Sequence, residues 1–167
     1  EDGLTFADNA IKKAVTIARI ADCWALADDS GLEVDALNGA PGVLSARYAG
    51  EPVDYAANNR KLLAELGDSV FRNARFCCVV ALADPLGEAE TAVGTCRGTI
   101  LRSQRGDCGF GYDPLFVPDG HRVTFAEMDA ALKNRISHRA RALDGAVRKW
   151  GSILRREPMP ASFAAAR

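Results

Sequence analysis

Apolar positions recur with two different periods along this chain, and the changes of period mark its elements. Phe6, Ala10, Ala14, Ile17, Ala18 and Ala21 repeat at helical spacing. They follow Thr5-x-x-Asp8, which resembles a capping box with Asp where Glu or Gln is usual. A helix is predicted over about 5–22. The apolar run Trp24-Ala25-Leu26-Ala27 ends in Asp28-Asp29-Ser30-Gly31, which predicts a buried strand over about 24–29 closed by a glycine turn. Residues 30–52 contain Gly31, Gly39, Pro41, Gly42, Gly50 and Pro52. They read as a loop region, long enough to be a candidate functional segment. Tyr55, Leu62, Leu63 and Leu66 predict a second helix over about 54–66.

Residues 74–84 read as a buried strand, Asp84-Pro85-Leu86-Gly87 as a turn, and 90–101 as the antiparallel partner strand. A glycine-rich loop is expected over 106–120. Thr124-x-x-Glu127 is a second capping box, predicted to open a short helix reaching about 132. Ser137 is the predicted cap of a last helix with Ala140, Leu143, Val147, Trp150 and Leu154 on one face. The Pro/Ala-rich tail, 157–167, is expected to fray. No repeat or linker divides the chain, so one domain over 1–156 is expected. The mixture of elements fits an α/β or α+β fold around one central sheet.

Composition narrows the class. The 167 residues are 48% hydrophobic and 26% charged, with a net charge of −1. That suits one soluble domain with a real core and gives no global attraction to nucleic acid or an anionic membrane. No apolar stretch approaches the roughly 20 residues that span a bilayer. No secretory signal pattern is present, so the expected location is cytoplasmic. The five cysteines are odd in number and lack a CxxC pair. They read as reduced and structural, without a zinc site, Cys77 and Cys78 pointing to opposite faces of a strand. The chain begins at Glu1 without methionine and without a strand before its first helix, so a preceding segment is expected to be missing.

Three segments carry candidate chemistry. Asp28 and Asp29 place two negative charges at the end of an apolar run. Desolvation and repulsion make that costly without a compensating cation, and a hard divalent metal takes oxygen ligands. The plain alternative is a turn with two solvated aspartates. More broadly, 22–54 is strongly acidic and 133–156 strongly basic. Facing each other, the two blocks suit a metal on one wall and a polyanion on the other, a solvated basic helix face being the alternative. Lys133-Asn134-Arg135-Ile136-Ser137-His138-Arg139 places cations at a helix N-terminus, where the dipole disfavours them, so an anionic or acceptor-rich ligand is a candidate partner. In 106–114, Gly109 and Gly111 flank Phe110, which can stack on a flat heterocycle or else plug the core. No P-loop and no GxGxxG is present.

Taken in order, these segments are far more specific than any one alone. Ala27-Asp28-Asp29-Ser30-Gly31-Leu32-Glu33-Val34 runs through Gly39-Ala40-Pro41-Gly42 to Ser45-Ala46-Arg47-Tyr48. Gly109-Phe110-Gly111-Tyr112-Asp113-Pro114-Leu115-Phe116 follows, then Thr124-Phe125-Ala126-Glu127-Met128, Lys133-Asn134 and Ser137-His138-Arg139-Ala140. Together they closely resemble the inosine/xanthosine triphosphate pyrophosphatase family. Thr5-Phe6, Asn9-Ala10 and Lys13-Ala14 also fit that family's first long helix.

The resemblance implies an α/β fold with an elongated mixed central sheet flanked by helices, in two lobes around a substrate cleft. It implies a homodimeric, Mg²⁺-dependent hydrolase that cleaves ITP, dITP and XTP to the monophosphate and pyrophosphate, cleaning the nucleotide pool. By the same resemblance Asp29 is the catalytic, metal-linked carboxylate facing the cleft, and Glu1 is a further metal candidate. Ser30, Phe110, Gly111, Tyr112, Asp113, Lys133, His138 and Arg139 are the substrate contacts. The family's N-terminal strand and Ser/Thr-Gly-Asn-x-x-Lys triphosphate loop do not occur in the chain. A catalytically impaired nucleotide-binding protein is therefore the alternative expectation.

Overall fold

The computed structural model describes residues 2–155. The first helix, α1 (Phe6–Ala21), starts at a closed capping box. Thr5 Oγ1 accepts the Asp8 N–H at 3.1 Å, and the Thr5 N–H donates to the Asp8 carboxylate at 3.0 Å. Its buried stripe is Phe6, Ala10, Ala14 and Ala18, small side chains that let the helix lie close on the sheet.

The strand that follows, β1 (Ala25–Val34), corrects the expected turn. Ser30 and Gly31 lie inside the strand, in register with Cys78 and Cys77. A Cβ on Gly31 would stand 2.5 Å from the Gly42 carbonyl oxygen and from Ser45 Oγ, and 2.8 Å from the Phe6 ring. This glycine therefore serves a close approach rather than a change of direction. The expected loop over 30–52 also holds two 3-10 helices, Asp35–Leu37 and Gly42–Arg47.

Asp54 caps α2 (Tyr55–Leu66), accepting the Ala57 N–H at 3.0 Å. A hairpin follows, β2 (Asn73–Ala83) and β3 (Ala89–Ile100). Asp84 Oδ1 closes its turn by accepting the N–H groups of Gly87 and Glu88, each at 2.9 Å. A short β4 (Phe116–Pro118), unforeseen within the glycine-rich loop, pairs with Gly98–Ile100. The sheet order is β1-β2-β3-β4, and among the described residues each pairing is antiparallel, where a mixed sheet was expected.

Helices cover both faces, so the fold is α/β as expected, a central sheet between helices. On one face α1 packs against Ala25, Cys77, Val79, Ala81 and Ala83. On the other, Ala142, Ala146 and Trp150 pack against Cys78, Val80 and Leu82. Cys77 and Cys78 thus part to opposite faces, and all five cysteines are free thiols. An aromatic cluster of Phe76, Phe116 and Phe125, with Leu32 and Leu62, fills the end nearest α2.

Two helix predictions need correction. Thr124 and Glu127 do exchange their capping-box bonds, at 2.8 and 3.1 Å. Only one turn follows, because Phe125, Ala126 and Met128 are drawn into the core. The helix α3 (Ala130–Ile136) starts later, capped by Asp129. On α4 (His138–Leu154), capped by Ser137, the buried stripe is Ala142, Ala146 and Trp150. Of the predicted face Trp150 is buried, but Leu143 and Val147 are 42% and 56% exposed. Gly94 of β3 explains the choice: a Cβ there would stand 2.2 Å from the Ala142 nitrogen and the His138 carbonyl oxygen. Only small residues fit so close a crossing. The expected tail, 157–167, lies outside the described residues.

Candidate active site

A cavity of about 600 Å³ opens where the middle of β1, the first turn of α2, the 108–113 loop and the α3–α4 junction meet. Ser30, Phe110, Gly111, Tyr112, Asp113, Lys133, His138 and Arg139 all line it. Ser45, Tyr55, Phe76, Phe125 and Met128 line it as well, and sequence reasoning assigned them no site role. Tyr55 looked like one member of an apolar helix face, and only its place at the helix start puts its ring at the cavity.

The loop is built around Asp113. Gly109 (φ 80°) brings the chain so close that a Cβ would meet Asp113 Oδ2 at 2.1 Å. Asp113 Oδ2 accepts the Phe110 N–H at 2.9 Å and pairs with Lys133. Lys133 Nζ lies 5.5 Å from the Phe110 ring centroid and 5.4 Å from that of Phe125, within cation–π range. Phe110 is 57% exposed, and the Tyr55 ring stands 6.3 Å away across the mouth. An exposed ring face on a backbone tied at both ends can stack on a flat heterocycle. Tyr112 is buried, its hydroxyl donating to the Ser45 carbonyl at 2.9 Å.

His138 stacks on Phe76 with centroids 4.7 Å apart and planes 12° from parallel. Burial, with the positive charges of Arg139 and Lys133, lowers its pKa to about 4. The imidazole is therefore neutral near pH 7, with one donor and one acceptor nitrogen. Its Nδ1 is buried and has no partner among the described residues.

Arg139 donates to Asp28 Oδ2 from Nε at 3.2 Å and from Nη2 at 2.9 Å. Burial opposes ionisation of Asp28, but the hydrogen bonds and charge of Arg139, helped by Ser30 and Cys78, hold its pKa below the usual value. The cationic segment reads differently in three dimensions. Lys133 sits in the last turn of α3, where the dipole favours it, and the charge of Arg139 is answered by a carboxylate of the chain itself.

Asp29 departs from its expected place. Strand alternation turns it to the α1 face, 8% exposed, and it does not line the cavity. Its Oδ1 accepts from Lys13 Nζ at 2.9 Å and its Oδ2 from Asn9 Nδ2 at 3.2 Å. Because β1 ends the described sheet, the cavity and the Asp29 corner lie on the two sides of one strand edge.

The donor set decides how a cation would be held. Among the described residues no group of three or more His, Cys, Asp or Glu side chains can cage a metal. Among the described residues Asp29 is the nearly buried carboxylate at this corner. A lone carboxylate of this kind can hold a hard divalent cation only together with phosphate oxygens and water. Glu1, the other metal candidate, lies outside the described residues.

Comparison with known proteins bears on this geometry. A model of the Ham1 family matches residues 1–149. A protein of Desulforamulus reducens named dITP/XTP pyrophosphatase is 59% identical over 149 residues, covering 88% of this chain and 74% of that protein. One of the same name from Syntrophobacter fumaroxidans is 56% identical over 155 residues, covering 93% and 67%. Among solved structures, the Staphylococcus aureus Ham1 protein superposes with a TM-score of 0.87 at 42% identity, over 92% of this chain and 80% of that one. A Ham1 protein from Coxiella burnetii gives 0.84 at 44% identity, over 92% and 78%.

Proposed function

The chain belongs to the Ham1 family, and on that premise we propose that it hydrolyses ITP, dITP and XTP to the nucleoside monophosphate and pyrophosphate. The observation that carries this reading is the single cavity holding a stacking ring, a neutral imidazole and a guanidinium, with Asp29 just beyond the same strand edge.

In this reading Phe110 stacks on the purine, a contact worth roughly 1–3 kcal/mol by analogy with base stacking. Arg139 donates to O6 of hypoxanthine or xanthine. Adenine presents an amino donor there, which would leave donor against donor and a buried group unpaired. Lys13 and Asn9 hold the Asp29 carboxylate in place. Asp29 orients a water for in-line attack on the α-phosphorus, the bond to the bridging oxygen breaks, and pyrophosphate leaves. A divalent cation at Asp29, which we take to be Mg²⁺, would neutralise charge developing on the phosphate oxygens.

Pyrophosphate rather than orthophosphate should be released, and EDTA should abolish the release with Mg²⁺ restoring it. Orthophosphate as the first product would contradict the reaction, and full activity in EDTA would contradict the metal. We extend the proposal to a homodimer, which sedimentation would test, and to a cytoplasmic location. No helix among the described residues is long and apolar enough to cross a membrane.

A further inference from the structure

We propose that Asp28 is a positioning residue that aims Arg139 at purine O6 and so sets the preference for inosine and xanthosine nucleotides over adenosine ones. The inference rests on the function proposed above.

Asp28 does not line the cavity, whereas Arg139 and Ser30 do. One Asp28 oxygen, Oδ2, gathers four donors: Arg139 Nε at 3.2 Å, Arg139 Nη2 at 2.9 Å, Ser30 Oγ at 3.1 Å and Cys78 Sγ at 3.6 Å. Burial raises the Cys78 pKa to about 11, so the thiol stays protonated and can donate. The carboxylate is thereby fixed from β1 and β2 before it meets the arginine from α4.

The geometry on Arg139 is equally directional. The guanidinium is a planar fork of five N–H donors. Its Nε and Nη2 side faces Asp28, and Nη1 has no protein acceptor among the described residues. Binding one side of the fork fixes the plane of the other and leaves Nη1 free to donate to a ligand in the cavity. Arg139 also lies in the first turn of α4, where the helix dipole repels a cation. The Asp28 charge offsets that repulsion, which a neutral amide would do poorly. An arginine freed from Asp28 would keep its charge and lose its aim, so nucleotides would still bind while discrimination fell.

The test is a double-mutant cycle on the intact chain, reading KM, kcat and the ITP-to-ATP ratio of kcat/KM. Asp28→Asn should raise KM for ITP about tenfold and cut the ITP-to-ATP ratio by a similar factor, with kcat changed less than about threefold, as loss of a charge-assisted hydrogen bond predicts. In an Arg139→Gln background the same change should have no further effect on the ratio. The Arg139 Nε–H resonance in ¹⁵N spectra should shift in Asp28→Asn. Asp28→Glu keeps the charge and should recover at least half of the lost ratio. Should Asp28→Asn not fold, Asp28→Glu carries the same cycle with a smaller change. An unchanged ratio in a folded variant, or an equal loss in the Arg139→Gln background, overturns the positioning role while leaving the function intact. Failure of the unaltered chain to release pyrophosphate from ITP overturns the function and this inference with it.

Discussion

Asp28 and Asp29 are neighbours in the chain and lie on opposite faces of β1, each 2.9 Å from a cation of a different helix. Asp28 meets Arg139 of α4, and Asp29 meets Lys13 of α1. A period of two in strand geometry imposes the split. The proposed function uses this split as a division of labour along one edge: recognition on the α4 face, phosphate chemistry on the α1 face.

Loss of the Asp113 carboxylate should loosen the stacking platform. Asp113→Ala removes the acceptor of the Phe110 N–H and strips Lys133 of its counter-charge. Breaking a buried pair costs about 3–5 kcal/mol; Lys133 is partly exposed, so the lower end is expected. Urea unfolding should show that loss. KM for ITP should rise more than kcat falls, because the ring is displaced and not the reacting groups.

The α4–sheet crossing should tolerate no methyl group at Gly94. An added Cβ at 2.2 Å from backbone atoms of α4 must push the helix outward. Gly94→Ala should destabilise the fold by about 1–3 kcal/mol, the usual range for overpacking, measured by chemical denaturation. It should also weaken ITP binding, since His138 and Arg139 ride on the displaced helix.

His138 should give stability a pH dependence of known sign. Its folded-state pKa of about 4 lies below the unfolded value of 6.5, so the native state favours the neutral ring. Stability from this group is full above about pH 6.5. It falls as pH drops toward 4, because the unfolded chain takes up a proton that the native one refuses. The loss across that window is on the order of 3 kcal/mol. Subtracting the urea-unfolding profile of His138→Gln from that of the unaltered chain should isolate it, and a flat difference would contradict the buried neutral ring.

Much of the fold was legible because its signals are local. Thr5-x-x-Asp8, Ser137 and the turn at Asp84 each act within four residues, and each forms the bonds expected of it. What escaped reading depends on distant contacts. Gly31 looked like a turn because its neighbours Gly42, Ser45 and Phe6 are distant in sequence. The turn after Thr124 fails to become a helix because Phe125 pairs with Phe116 through its N–H and joins the aromatic core. The stripe of α4 was misread because alanine carries a weak hydrophobic signal, although it is what the Gly94 crossing demands. Of the eight predicted contacts that line the cavity, Phe110, Lys133, His138 and Arg139 stood out by residue type and spacing, and family motifs supplied the others. The Arg139–Asp28 pair joins residues 111 apart in sequence, and no local signal links the two.

Pyrophosphate release from ITP, compared with ATP and with the Asp29→Asn variant under the same Mg²⁺ concentration, tests the central claim most directly. The account predicts release from ITP at least about tenfold faster than from ATP, the discrimination expected where a purine donor would face Arg139. It predicts a fall of about 100-fold or more in Asp29→Asn, as for removal of a group that acts on the reacting water. Equal rates for ITP and ATP, or an Asp29→Asn variant as active as the unaltered chain, would contradict it.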